Sequence, residues 1–337
     1  MKCGRYIVLF VFIGLISFMG IRQSIVLPKH FPPPVYAFNT TSNNDAITAL
    51  GKELFYDPIL SIDSTISCAS CHSPYNAFAH TDHDLSHGIH DSIGTRNAPA
   101  LFNLAWHKSF MWDGAINHLD MQALAPITHP AEMGEDFAHV VKKLQRSRTY
   151  SNLFHDAFGD DSITGARTLK ALAHFQASLI STESKYDKVI EGKAEFTAQE
   201  NAGYALFKTH CNSCHTEPLF SDYAFHNNGL PIDPTLNDFG KWGITKNQED
   251  SLLFKTPSLR NLKYTFPYMH DGRFKRLQDV LNHYTDNISI SATTDENLKN
   301  KISLSKNEKT DLIAFLLTLN DSAFVFNTAH IPTNPSN

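Results

Sequence analysis

Apolar residues return at the spacing of a helical face in several stretches of the chain, and no stretch shows convincing strand-like alternation. The predicted helices are Asn44–Phe55, Phe137–Leu144, Thr164–Ile180, Gln199–Phe207, Leu277–Tyr284 and Asn307–Leu319. Stretches rich in Gly, Pro, His, Asn and Asp separate them, most notably at 73–100 and 216–260. Long irregular loops in compact domains usually carry function or wrap a cofactor. The pattern therefore predicts an all-α fold with large irregular loops.

The N-terminal apolar run has a different character. Lys2 and Arg5 precede a run from Tyr6 to Ile21, which is typical of a signal peptide and short for a membrane span. Residues 1–27 are therefore expected to be a signal peptide or an uncleaved membrane anchor. The proline-rich residues 28–43 are expected to be a linker. The positive-inside rule then predicts a periplasmic protein, either released or tethered to the inner membrane.

Composition excludes several other classes of protein. The 337 residues are 42% hydrophobic, which is enough for folded cores. The net charge of −5 comes without a block of like charges, so no nucleic-acid partner is expected. Five cysteines are an odd number at wide spacing, which argues against a disulfide framework.

Two Cys-x-x-Cys-His motifs account for four of these cysteines. They are Cys68–Cys71–His72 and Cys211–Cys214–His215, and each follows a predicted helix that carries a Leu-Phe pair. This motif attaches c-type haem: the thiols bond covalently to the haem, and the histidine lies beneath the iron. A zinc site would need a second ligand pair nearby, and a redox dithiol would need a βαβ context. Two covalent haems and an internal duplication are therefore predicted.

Beyond these motifs, the chain resembles the dihaem cytochrome c peroxidase family, which includes MauG-like proteins, from about Leu54 to Leu319. The resemblance rests on segments that occur in the family's order: Leu54–Pro58, Cys68–His72, Arg96–Pro99, Met111–Gly114, Pro126–Gly134, Cys211–His215, Phe254–Asn261 and Pro267–Arg273. It implies two cytochrome c-like haem domains, a peroxidatic one at 44–190 and an electron-transfer one at 191–328. The iron ligands would be His72 in the first domain and His215 in the second.

The resemblance also implies a peroxide pocket over the first haem, formed by Glu132, Gln122 and Pro126. A carboxylate there can take a proton from one peroxide oxygen and return it to the other. By residue type alone, Glu132 would be a solvated acid and Gln122 a surface residue. Where many family members have a histidine ligand in the loop before Arg-Asn-x-Pro, this chain has Ile89, which predicts an open iron. His87 and His90 flank that position, and either remains an alternative movable ligand.

At the second haem, family members with ordinary peroxidase activity place a methionine where this chain has Tyr284, which is the MauG-like pattern. Tyr284 is therefore the expected distal ligand, with Met269 as the competing thioether and His283 as a weaker rival. Tyrosine is an established haem ligand. If Tyr284 does not bind the iron, it would be a buried helical residue.

The resemblance assigns further roles between the haems. Trp112 matches an electron-relay tryptophan, and its alternative is an ordinary core aromatic. Asn97, Thr265 and Pro267 match a calcium site that uses side-chain and backbone oxygens. Without the resemblance, Asn97 would be read as a turn residue.

The leading functional prediction is a dihaem peroxidase that reduces hydrogen peroxide to water. A small periplasmic cytochrome c or a copper protein (cupredoxin) would supply the electrons. One alternative is a MauG-like oxidase that uses peroxide to oxidise a partner protein or an organic molecule, and Tyr284 favours it. The other is a dihaem electron carrier without enzymatic activity. Dimers are common in the family, and a homodimer is compatible with this sequence.

Overall fold

The structure is a computed structural model that describes residues 27–37 and 44–331. Almost all of the predicted signal peptide or anchor, and residues 38–43 of the predicted linker, lie outside these ranges. Within the ranges, no helix combines the length and the apolar character needed to cross a bilayer.

Short helices joined by long loops make up most of this part of the chain. The α-helices are α1 (Asn44–Tyr56), α2 (Cys68–Cys71), α3 (Leu119–Gln122), α4 (Leu124–Thr128), α5 (Phe137–Gln145), α6 (Arg148–Phe158), α7 (Gly165–Ser178), α8 (Lys185–Ile190), α9 (Ala198–His210), α10 (Trp242–Thr245), α11 (Leu277–Asp286), α12 (Glu296–Lys299), α13 (Lys306–Leu317) and α14 (Ser322–Val325). The 3₁₀ turns are Pro58–Leu60, Pro74–Asn76, Ile89–Asp91, Leu104–Trp106, Gln248–Asp250 and Thr328–His330. Two short strands, β1 (Phe225–His226) and β2 (Phe254–Lys255), pair antiparallel, with Phe225 opposite Lys255.

The helices predicted from periodicity are confirmed as α1, α5, α7, α9, α11 and α13, with ends that differ by a few residues. The fold is helix-rich with little strand, and the β1–β2 ladder is the part that an all-α prediction missed. Helix α6 was also missed, although its buried Tyr150, Phe154 and Ala157 follow helical spacing.

The same helix crossing occurs in both halves of the chain. Helix α1 packs on α7, and α9 packs on α13. At each crossing a glycine faces a backbone carbonyl: a Cβ on Gly51 would overlap the Ala171 oxygen, and one on Gly203 would overlap the Asp311 oxygen. Only glycine permits this approach. The internal duplication predicted from the two haem motifs therefore extends to the packing of the helices around them.

Two separate clusters of buried apolar residues form the core. The first contains Phe55, Phe78 and Phe175 from the N-terminal half, and the second contains Phe207 and Phe315 from the C-terminal half. The two clusters do not follow the two halves of the chain exactly, because α14, near the C-terminus, contributes its buried residues to the first cluster. The C-terminal end of the chain thus packs against the N-terminal half.

The described part of the predicted linker, residues 27–37, lies against the first cluster. Phe31 is buried, and the indole nitrogen of Trp106 donates to the carbonyl of Pro32 at 2.7 Å. The amides of Val35 and Tyr36 both donate to the carbonyl of Ala105 at 2.9 Å. This segment is therefore part of the folded body.

A fully buried ion pair between Arg260 and Asp187 joins the second half of the chain to α8. The guanidinium of Arg260 donates to both carboxylate oxygens of Asp187, at 2.9 and 2.7 Å, and the imidazole of His30 contacts the same carboxylate at 2.9 Å. Burial alone would raise the pKa of Asp187, but the bonds from Arg260 lower it to about 2. The pair therefore stays ionised, and loss of either partner would leave a buried charge.

Candidate functional site

The first Cys-x-x-Cys-His motif forms its own turn of helix. Cys68 and Cys71 begin and end α2, and the amide of His72 donates to the carbonyl of Cys68 at 2.9 Å. The Nδ1 of His72 donates to the carbonyl of Phe78 at 2.8 Å, and this leaves Nε2 as the coordinating nitrogen. Burial lowers the pKa of His72 to about 4, so its imidazole is neutral.

The second motif repeats this arrangement directly after α9. The amide of His215 donates to the carbonyl of Cys211 at 2.9 Å, and its Nδ1 donates to the carbonyl of Phe220 at 3.2 Å. Burial lowers the pKa of His215 to about 4 as well. Each histidine is thus neutral, fixed in one tautomer and ready to bind a metal through Nε2.

A cavity of about 280 Å³ opens beside the second motif. Its walls are mostly apolar and include Cys211, Cys214 and His215, together with Tyr284 and Met269. Two thiols, a neutral imidazole and an apolar enclosure are the donor set and surroundings of a covalently held haem. The residues present therefore fit the group that the sequence predicts.

The two rival distal ligands of the second site lie side by side. The side-chain amide of Asn228 is 3.5 Å from the hydroxyl of Tyr284 and 3.6 Å from the sulfur of Met269. Burial raises the pKa of Tyr284 to about 12. His283 instead donates through Nε2 to the carbonyl of Asn228 at 3.0 Å, and it is not among the residues that line the cavity. Of the three candidate distal ligands, Tyr284 and Met269 therefore line the cavity and His283 does not.

The predicted peroxide pocket is built on a closed turn after α4. The amide of Met133 donates to the carbonyl of Pro126 at 3.1 Å, and the amide of Glu132 donates to that of His129 at 3.0 Å. Glu132 is half-buried, and burial raises its pKa, as expected for a group that exchanges protons. Burial, and then the charge of the nearby Glu132, raises the pKa of the Cys71 thiol. Glu132 therefore lies close to the first haem-attachment motif.

Gln122 ends α3, is 9% exposed and lines the same cavity as the residues of the second motif. Pro126 lies inside α4 and is half-buried. The structure thus keeps all three predicted pocket residues off the open surface, while their roles toward peroxide stay predictions.

The loop at Ile89 packs against the Glu132 turn. The amide of Ile89 donates to the carbonyl of Glu132 at 2.8 Å, and its side chain fills the space that a Cβ on Gly134 would need. The backbone carbonyl of His87 accepts from the Cys71 thiol at 3.2 Å. The exposed side chain of His90 lies near Asp63, whose pKa is lowered mainly by a hydrogen bond from Thr65 and further by His90. Ile89 is therefore a buried packing residue that cannot bind a metal.

Trp112 lies where the two halves meet. Its indole nitrogen donates to the carbonyl of Asn97 at 2.9 Å, and its carbonyl accepts from the amide of Lys255 at 2.8 Å. Nearby, Arg96 pairs with Asp113 and Asp238, each at 2.6 Å. The indole is thus held by residues from both sides of the predicted domain boundary.

The predicted calcium ligands Asn97, Thr265 and Pro267 all line the cavity beside Trp112. The side-chain amide of Asn97 donates to the carbonyl of Asp84 at 2.9 Å, which leaves Oδ1 as the atom for a cation. The three positions therefore border one cavity although they come from distant parts of the chain.

Sequence reasoning gave no role to two polar residues of this region, the buried Lys255 and the half-buried Asn228. Lys255 lies inside a motif that supports the resemblance; it is 9% exposed, and its ammonium donates to the carbonyl of Ser109 at 2.8 Å. Burial lowers its pKa to about 7. Asn228, which contacts both Tyr284 and Met269, lies in a loop without any recognisable pattern. Only the fold could have identified it.

Comparisons with known proteins agree with this geometry. A family model described as di-haem cytochrome c peroxidase matches residues 45–195. The chain is 36% identical to the methylamine utilization protein MauG of Methylophilus methylotrophus, over 92% of each chain. It is 32% identical to cytochrome c551 peroxidase of Nitrosomonas europaea, over 88% of this chain and 86% of that protein. The solved structure of a MauG-like protein associated with microbial copper homeostasis matches with a TM-score of 0.83 and 31% identity, over 90% of this chain and 97% of that one.

Proposed function

Because this chain belongs to the di-haem cytochrome c peroxidase family, we propose that it reduces hydrogen peroxide to water in the periplasm, with electrons from a small cytochrome c or copper protein. The predicted family resemblance is confirmed by these relatives. They also support two c-type haems and an oxidoreductase that acts on peroxide.

The observation that carries the proposal is the position of Glu132. This carboxyl group is half-buried, has a raised pKa and lies close to Cys71. A group with these properties can accept a proton at one moment and return it at the next. Ile89, at the position of the family's movable histidine, is packed against Gly134 and has no atom that could coordinate the first iron.

The haems, held by Cys68, Cys71 and His72 and by Cys211, Cys214 and His215, would supply the iron and the redox equivalents that cleave the O–O bond. Glu132 takes the proton from one oxygen of the peroxide and delivers it to the other, which leaves as water. Gln122 orients the peroxide by hydrogen bonding, and Pro126 adds bulk without a donor. Two electrons and two further protons complete the balance to a second water.

Supporting roles follow from the contacts between the two halves. Trp112 relays electrons between the haem sites, since its indole lies at the junction of the halves. A calcium ion bound by Asn97, Thr265 and Pro267 would hold that junction together. The repeated glycine crossing and most members of the two buried clusters support a division into haem domains at 44–190 and 191–328, but α14, inside the second range, packs in the first cluster.

One observation favours a second candidate function. The cavity presents the hydroxyl of Tyr284 next to the sulfur of Met269. A tyrosinate ligand stabilises oxidised iron, which suits a MauG-like oxidase that stores oxidising equivalents and withdraws electrons from a partner protein or an organic molecule.

Electron paramagnetic resonance of the as-isolated diferric protein tests these proposals. We expect one high-spin signal from an open first iron and one low-spin signal from the second; a low-spin signal that changes in Tyr284→Phe but not in Met269→Leu would favour the MauG-like oxidase. A low-spin signal that responds only to Met269→Leu would favour the ordinary peroxidase. Two low-spin signals, together with no peroxide turnover, would leave only an electron carrier.

A further inference from the structure

One charged residue stands out in the wall of the cavity beside the second haem-attachment motif. Among the described residues that line this cavity, Lys255 is the only lysine, arginine, aspartate or glutamate. The imidazole of His226 also lines it, but two carboxylates already flank that ring, Asp222 at 2.8 Å and Asp295 at 2.6 Å. The cavity wall therefore contains one ammonium group for which a negative partner has to be found.

The contacts of this ammonium are with neutral groups. It donates to the carbonyl of Ser109 at 2.8 Å and to the Nδ1 of His107 at 3.5 Å. Burial, and then the charge of Lys255, holds the pKa of His107 well below its ordinary value, so the imidazole is neutral. Asp113 attracts Lys255 without bonding to it, and its carboxylate is already paired with Arg96 at 2.6 Å. An ammonium has three N–H donors, so one remains for a further acceptor.

The surrounding structure holds Lys255 in this position from both ends. Its backbone lies in β2, and its amide donates to the carbonyl of Trp112 at 2.8 Å. Its ammonium lies 5.8 Å from the centre of the Phe110 ring, and the residue as a whole is 9% exposed. A buried charge is costly unless it is paired and hydrogen-bonded. A lysine fixed in an apolar wall is therefore explained best by an anion that occupies the cavity.

The group that this cavity is expected to hold carries such an anion. A c-type haem has two propionate side chains, each a carboxylate, at the edge of an otherwise apolar ring. Cys211, Cys214 and His215 line the same cavity as Lys255. Hydrogen bonds between an ammonium and a carboxylate are short and strong, and more so where water is excluded. We propose that the ammonium of Lys255 binds a propionate carboxylate of a haem, foremost that of the haem held by Cys211 and Cys214.

This contact would give Lys255 two effects on the bound haem. It would fix one edge of the haem where the two halves of the chain meet, because the Lys255 backbone is bonded to Trp112. A positive charge beside the haem also favours the ferrous state, which has one positive charge fewer than the ferric state. Lys255 would thereby raise the reduction potential. The inference depends on the presence of the haem and not on the proposed reaction with peroxide.

Redox titration of the holoprotein, followed by optical absorption, tests the proposal. Lys255→Met removes the charge and keeps an unbranched apolar side chain. We expect the reduction equilibrium of one haem to shift at least about tenfold toward ferric iron, which lowers the midpoint potential of a one-electron couple by about 59 mV. Lys241→Met is the matched control. The Lys241 amide bonds to the carbonyl of Leu253 beside β2, but its ammonium is paired with Asp250 at 2.8 Å. Both potentials should therefore stay unchanged in this control.

Resonance Raman spectroscopy separates a direct bond from the influence of a more distant charge. The propionate bending band should move in Lys255→Met and stay in place in Lys241→Met, because this vibration responds to hydrogen bonds made by the carboxylate. A role in packing alone would not move it. The band and the potential should change at the same haem. A change at the low-spin haem assigns the propionate to the second motif, and a change at the high-spin haem assigns it to the first.

A crystal structure of the wild-type holoprotein decides the matter if Lys255→Met fails to assemble with haem. We expect a propionate oxygen within about 3.2 Å of the Lys255 Nζ. The proposal is overturned if that position holds no carboxylate, or if Lys255→Met keeps both midpoint potentials and both propionate bands of the wild type. Peroxide turnover by the wild type is a separate measurement, so the proposed function and this inference can fail independently.

Discussion

Replacement of Glu132 by glutamine is the sharpest test of the proposed chemistry. Glutamine keeps the shape of the side chain but cannot take a proton from peroxide. Glu132 is half-buried close to Cys71, with its backbone bonded to His129 and Ile89, so the substitution should change the chemistry and leave the turn in place.

The expected size of the effect follows from the role. Positioned general acid–base groups contribute about 10²- to 10⁴-fold to a rate. At about 1.4 kcal/mol per factor of ten, this raises the barrier by about 2.7 to 5.4 kcal/mol. Because the change acts on proton transfer and not on binding, kcat should fall while KM changes little.

Glu135→Gln is the matched control, three residues along the same turn. Although burial would raise the pKa of Glu135, its contacts with Lys143 at 2.7 Å and His139 at 3.1 Å lower it. This carboxylate therefore stabilises the fold above the ordinary range of carboxyl pKa values, and the contribution is lost as the pH falls through its lowered pKa. We expect Glu135→Gln to lose stability and to keep its kcat.

The assay is steady-state consumption of hydrogen peroxide with a small chemical electron donor, at equal haem content and over a range of pH. Because Glu132 acts as a base only when ionised, kcat/KM of the wild type should decline below a pKa higher than that of an ordinary carboxyl group. This decline of kcat/KM at low pH should be absent in Glu132→Gln. A variant with activity within threefold of the wild type, or with an unchanged pH profile, would refute the assignment.

Three other predictions concern packing and metal binding. Gly203→Ala should lower the free energy of unfolding by about 1–3 kcal/mol in denaturant titrations, because the new methyl group collides with a carbonyl. Gly243→Ala is the control and should leave that free energy unchanged, because there is open space around Gly243. Arg260→Met should cost about 3–5 kcal/mol by the same measurement, because it leaves the buried Asp187 charge without its guanidinium partner and with only the weaker contact to His30 opposite it; equal stability of this variant and the wild type would contradict the ion-pair argument. Asn97→Ala should weaken Ca²⁺ binding in calorimetry, and calcium affinity equal to that of the wild type would remove Asn97 from the proposed site.

The haem-attachment sites could be read from the sequence because their chemistry is local. Two thiols and a histidine within five residues need only one turn of chain to face the same group, and the structure holds His72 and His215 in equivalent backbone bonds. Helical periodicity is equally local, so the main helices were predicted correctly. Glu132 was identified only through the family resemblance, since nothing about an isolated glutamate indicates partial burial.

Contacts between distant segments could not be predicted from the sequence. Tyr284 and Met269 are separated by fifteen positions, and only the fold places both beside Asn228, a residue without any pattern of its own. Spacing along the chain could therefore rank these two ligands but could not show that they share one cavity.

The sequence by itself determined the helices, the two haem sites and the family, because these depend on short-range periodicity, on covalent chemistry and on motif order. Tertiary structure alone decided the burial of Lys255, the close crossings at Gly51 and Gly203 and the contacts of Asn228 with Tyr284 and Met269. The physical reason is the same in each case. Desolvation, steric overlap and side-chain contact depend on which distant backbone lies within a few ångströms, and no local pattern in the chain encodes that distance.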